Sequence, residues 1–313
     1  MLDRFLLQSE LMVQFCVLSL QKNSGIDVLF LHGGPGVGCS DADKRFFDPD
    51  IFHVIFLDQR GAPKSKPVGG LEHNTTQHLV DDINRLLDFL GVEKAIFFGG
   101  SWGTALSLVY AIQYPERVIS MILRGIFLGI KDEIDHLFKR EGAVELFFPE
   151  AYDRFIQLVP EKERNNIPKF FLDKMISDNP EIQKKYIYEW ELFESSAIKL
   201  DSNPDATKSM LESMDDFGPS GKLVALYSAN NCFLEDNYIL KNAFKIAHIP
   251  TSIVHGRYDI ICPPIYAYRL HKQLKKSELL LVKAGHISSE PEIEKQLKIE
   301  LKKHARWISE SDL

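Results

Sequence analysis

The sequence predicts an α/β fold: a mostly parallel sheet with helices on both faces and an inserted helical cap. Three observations carry this expectation. Short apolar runs alternate with helical patterns over the first 125 residues and again from about residue 246. Two of the runs end in glycine-rich corners, HGGPG at 32–36 and GGSWG at 99–103. From about Ile126 to about Lys245 strand-like runs vanish, and charged, aromatic helical segments take over. At 313 residues the chain can bury a large core. The division that follows is 1–125 with 246–313 for the core and 126–245 for the cap.

Each element has its own signal. VLFLHGG and HVIFLDQRG read as buried strands. In QHLVDDINRLLDFLG, the residues Leu79, Ile83, Leu86, Leu87 and Leu90 recur at steps of three and four, which marks one face of a helix. KAIFFGG is a strand, ALSLVYAIQY a helix, and VISMILRG, after Pro115, another buried strand. The cap contributes helical patterns such as DEIDHLFKREGAVELFF and EIQKKYIYEWELFESS. Alternation returns with the strand in IPTSIVHGRYD, the helix IYAYRLHKQLKK, the strand in ELLLVKAGH and a last helix through EIEKQLKIELKKHARW.

Composition narrows the partners. A net charge of −7 with no basic block argues against nucleic acid. Cys16, Cys39, Cys232 and Cys262 are scattered without metal-type spacing, so free thiols in a reducing compartment are expected. The apolar N-terminal stretch is broken by Gln8, Glu10 and Gln14, and no run reaches the roughly 18 apolar residues of a membrane span. A cytoplasmic protein without membrane contact is the expectation. Oligomeric state is not readable.

The chemistry centres on Ser101. A serine hydroxyl is a weak nucleophile unless a base takes its proton and donors receive the oxyanion. A sharp strand-to-helix turn lifts the hydroxyl above the sheet and puts the next N–H at a helix start, where donors are unpaired. Small residues on both sides are needed for so tight a turn, and GGSWG supplies them. An acid and then a histidine should follow, each on a loop after a strand. Asp259 follows TSIVHGRY, and His286 follows ELLLVKAG. The other histidines beyond Asp259, His271 and His304, fall in helices and read as surface residues. The HGGPG loop offers backbone donors, Gly34 first, with the Trp102 N–H as the second.

In chain order, HGGPG, DQRG, GGSWG, RGIF, FFPE, HGRYD and AGH resemble the proline iminopeptidases (prolyl aminopeptidases) of the α/β-hydrolase superfamily, from about residue 28 to 300. The resemblance implies release of N-terminal proline from small peptides, without metal or cofactor, beneath a helical cap. It implies that Glu194, in Trp190-Glu191-Leu192-Phe193-Glu194, binds the substrate amine. Phe127 and Phe138 are candidates for the wall around the proline ring, and either also fits a core position.

Three departures from the family stand out. Asn230 replaces a second amine-binding glutamate, with Glu191 and Glu235 among the carboxylates able to substitute for it. Pro63 replaces a glycine in the DQRG loop, so that loop is expected to run differently. The stretch before Val28 is short and unlike the family's opening strands. Two further readings therefore stay open. One is a related α/β-hydrolase acting on other small amides or esters, motivated by Asn230. The other is a non-catalytic binding protein on the same scaffold.

Overall fold

The computed structural model describes residues 2–8, 14–20, 25–201, 203–213 and 217–311, with side chains from residue 25 onward, Pro204 excepted. Glu10 and the Cys16 side chain lie outside what is described. Eight strands form one sheet: β1 (Leu2–Gln8), β2 (Gln14–Leu20), β3 (Ile26–Leu31), β4 (Phe52–Asp58), β5 (Ala95–Gly100), β6 (Val118–Arg124), β7 (Thr251–Gly256) and β8 (Ser277–Val282). The spatial order is β1-β2-β4-β3-β5-β6-β7-β8. From β4 to β8 every pairing is parallel. The stretch before Val28, unlike the family's, nevertheless builds the sheet edge. It pairs as an antiparallel hairpin, Leu2 opposite Leu20, and joins β4 antiparallel.

Side chains alternate across a strand, so one strand feeds two cores. Leu29, Leu31, Ile55, Leu57, Phe97, Met121, Leu123 and Ile253 pack with α1 (Thr76–Phe89), α2 (Trp102–Gln113) and α11 (Pro264–His271). Their neighbours Val28, Phe30, Val54, Phe56, Ile96, Phe98, Ile122 and Val254 pack with α12 (Pro291–Glu310) and Phe46 on the other face. His304, read from sequence as a surface residue, is buried against that face. Its ring nitrogens meet Ser120 Oγ at 2.8 Å and Ser252 Oγ at 2.9 Å. Burial pushes its imidazole down to about 4, so it packs neutral. His271 is half-buried, with Nδ1 on Ser277 Oγ at 2.8 Å.

The helical layer comprises α3 (Lys131–Phe138), α4 (Ala143–Phe147), α5 (Pro149–Ile156), α6 (Ile167–Met175), α7 (Pro180–Ala197), α8 (Pro204–Glu212) and α9 (Ser220–Ala229). Asparagines start three of these helices. Asn166 and Asn203 each cap one, and Asn179 accepts from Glu181 N at 2.9 Å and Ile182 N at 3.3 Å to begin α7. An aromatic stack holds the layer together, with Phe155 lying 4.0 Å from Phe193 and 4.3 Å from Phe171, ring to ring. The layer's own apolar cluster runs from Ile134 to Ala225. Tyr227, Cys232, Ile239, Ala243 and Ile246 pack instead with the α2 side of the core. There the Tyr227 ring sits 4.7 Å from Trp102, and its hydroxyl donates to Asn74 Oδ1 at 3.0 Å. One end of α9 therefore anchors the layer above the sheet.

Candidate active site

β5 leads directly into Ser101, whose φ of 55° and ψ of −123° are a strained conformation for a residue with a side chain. The strain is held by neighbours. The Ser101 N–H donates to Arg124 O at 2.9 Å, and Thr104 N–H donates back to Ser101 O at 2.8 Å. The flanking glycines make room for the corner: a Cβ on Gly103 would lie 2.1 Å from Leu31 O, and one on Gly100 would lie 2.4 Å from Arg124 Nη2. Hence the GGSWG pattern is a packing requirement as well as a turn.

Asp259 and His286 come from the loops after β7 and β8 and meet with His286 Nδ1 2.8 Å from Asp259 Oδ2. Cys262 N–H donates to Oδ1 at 2.8 Å, and His255 Nε2 lies 3.6 Å from Oδ2. Burial pushes the Asp259 carboxyl up, but His286, His255 and the Cys262 N–H outweigh it and hold the group below its ordinary value. An ionised Asp259 fixes the proton on His286 Nδ1 and leaves Nε2 to the cavity, a tautomer assigned from this hydrogen bond. His255 is turned the other way, with Nε2 on Cys262 O at 2.7 Å and Nδ1 accepting from Ile126 N.

Ser101 and His286 line one cavity of about 370 Å³. No hydrogen bond joins Ser101 Oγ to His286 among the described residues. Arg124 Nη1 instead lies 3.4 Å from His286 Nε2 and donates to His286 O at 2.9 Å. Gly33 and Gly34 run beside the serine, and a Cβ on Gly33 would fall 3.3 Å from that of Ser101. The N–H groups of Gly34 and Trp102 have no partner among the described residues.

The cap closes the cavity with Phe127, Phe138, Phe193 and Glu194. Glu194 is half-buried on α7, and its carboxyl is pushed up to about 8, first by burial and then by Glu191. Glu191, one helical turn earlier, is pushed up to about 7 by burial, against the Gly221 N–H. Asn230 is not brought to this cavity. It is exposed at the end of α9, where its amide donates to Leu226 O at 2.8 Å. The side-chain exchange at position 230 therefore leaves the cavity wall untouched.

Two residues of the site went unread in the sequence. Arg124 ends β6 and reaches His286, and its signal was an arginine directly before Gly125 at a strand terminus. Gln59 directly follows β4, donates to His32 O at 3.0 Å and accepts from Trp102 Nε1 at 2.9 Å, which ties the two glycine loops together. Cys39, Cys232 and Cys262 are free thiols in the cavity lining. Among the described residues, no group of three or more histidine, cysteine or carboxylate side chains is arranged to hold a metal ion. No helix among them is long and apolar enough to cross a membrane.

Residues 28–292 match the family model of the α/β hydrolase fold. A proline iminopeptidase of Arabidopsis thaliana is 39% identical over 280 residues, spanning 88% of this chain and 73% of that protein. A probable proline iminopeptidase of Leptolyngbya boryana is 39% identical over 266 residues, spanning 84% of this chain and 82% of its own. Among solved structures, an esterase of Exiguobacterium antarcticum superposes with a TM-score of 0.63 over 96% of this chain and 98% of its own, at 20% identity, a likeness of fold alone. Taken with the sheet order and the serine corner, these matches mean that the chain belongs to the proline iminopeptidase family of the α/β-hydrolase fold.

Proposed function

We propose that this protein is a serine aminopeptidase that releases N-terminal proline from small peptides through an acyl-enzyme on Ser101. The observation that carries the reading is one cavity holding Ser101, a histidine paired to an ionised aspartate, and the Glu194 carboxyl on its cap side, raised by burial.

In the acylation step His286 Nε2 takes the Ser101 proton as Oγ attacks the prolyl carbonyl carbon. The N–H groups of Gly34 and Trp102 receive the charge that develops on oxygen. The imidazolium, stabilised by Asp259, then returns its proton to the departing peptide nitrogen. In the second half a water attacks the prolyl ester and gives its proton to His286, which passes it to the departing Ser101 Oγ, so that proline is released and Ser101 is regenerated. Phe127 and Phe138 form the apolar wall for the pyrrolidine ring, and Glu194 pairs with the protonated amine, which fixes the substrate by its free end. Asn230 takes no part in this reading. The free thiols of Cys39, Cys232 and Cys262 fit a reducing, cytoplasmic setting.

The test is turnover of a proline arylamide by wild type and by Ser101→Ala. The expected loss is about 10⁴-fold or more in kcat, the scale on which a triad enzyme loses rate when its nucleophile is removed. Equal rates in the two proteins would overturn the assignment of Ser101.

A further inference from the structure

The loop that carries His286 and the end of the cap helix that carries Glu194 converge on a single side chain. The Gly285 N–H donates to Glu290 Oε2 at 2.7 Å, and the Leu200 N–H donates to Glu290 Oε1 at 3.1 Å. Beside them the His286 N–H donates to Ile198 O at 3.2 Å. The two segments touch so closely that a Cβ on Gly285 would lie 2.6 Å from Leu200 N and 2.9 Å from Glu290 Oε1. Ile198 itself lines the cavity, four residues beyond Glu194. Glu290 is half-buried and directly precedes α12, whose Ile293 and Leu297 are fully buried beneath the sheet.

Two donors converge from separate segments, and the Glu290 carboxylate receives one on each oxygen, both as charge-assisted bonds. We propose that Glu290 is a positioning residue that locks the His286 loop to the end of cap helix α7, so that the catalytic base and the amine-facing carboxylate are set by one side chain. This inference rests on the serine aminopeptidase reading. A displaced base slows acylation steeply, because errors near 1 Å lower rates by roughly 10²-fold.

The experiment titrates Ser101 with a fluorophosphonate in wild type, Glu290→Ala and Glu290→Gln, and follows kcat and KM on a neutral acetate ester and on a proline arylamide. Glu290→Ala should titrate fully yet react about tenfold to hundredfold more slowly per site, on the ester as well as the arylamide. KM should rise on the arylamide alone, through Glu194. Glu290→Gln keeps one oxygen for one of the donors, and its rate should fall between the two. Unchanged rates per titrated site would overturn the proposal, as would fewer sites reacting at the wild-type rate, which is the mark of lost folding only. Should the alanine variant not fold, a glutamine variant equal to wild type overturns it. A wild type that takes no label sinks the hydrolase reading itself, a different result.

Discussion

Asp259, on the core side of the site, and Glu194, in its cap wall, are both carboxylates removed from water, and they are held in opposite states. Around Asp259 the core supplies the compensation itself: His286 at 2.8 Å, His255 at 3.6 Å and the Cys262 N–H at 2.8 Å keep it below its ordinary value despite burial. Around Glu194 burial and the nearby Glu191 push the carboxyl up to about 8, with only the Trp190 side chain opposing. Asp259 is thus compensated by its own neighbours. Glu194 is not so compensated, and under the proposed function the substrate amine is its partner. On the proposed function the core side reacts and the cap side selects.

Breaking each carboxylate separately should expose that division. Asp259→Asn leaves His286 without its orienting anion and should lower kcat by about 10⁴-fold on every substrate, ester or amide, in steady-state assays. Glu194→Gln should be selective: kcat/KM on a proline arylamide falls roughly 10²-fold, while a neutral acetate ester changes little. A loss of equal size on both substrates would place Glu194 in the chemistry rather than in recognition.

Stability should divide the same way with pH. Asp259 is depressed by folding, so its contribution is present above its unfolded value and fades as pH falls through the folded one. Glu194 is raised by folding, so its contribution is full below its unfolded value and is lost as pH rises toward about 8. Melting curves from about pH 5 to 9 should therefore show the wild-type Tm declining on the alkaline side and Glu194→Gln declining less. Parallel curves would mean that the carboxyl is not strained by burial. The smallest effect belongs to Asn230→Ala, which should stay within about twofold of wild type on all substrates, because the residue is exposed and outside the cavity.

The same division governs what the sequence makes legible. The strand corners are local and stereochemical. Ser101 needs its glycines, and Asp259 and His286 follow β7 and β8, so chain order and position after a strand point to them. Cap positions depend on how helices rotate against one another, which spacing does not encode. Glu194 is legible through the Trp190-to-Glu194 motif, yet Asn230, aligned to a family glutamate, turns away at the end of α9. His304 misleads for a related reason. The charged run around it suggests solvent, but its own helix face lies on Ser120 and Ser252. The sheet edge before Val28 is set by backbone pairing to β4, which leaves little pattern in the side chains.

The most direct measurement is kcat/KM for a proline arylamide set against its N-acetylated form. A preference for the free amine of about 10²-fold or more is expected if the substrate amine is the partner of Glu194, as proposed. Comparable values for the two substrates would contradict it and leave a triad hydrolase with no amine site.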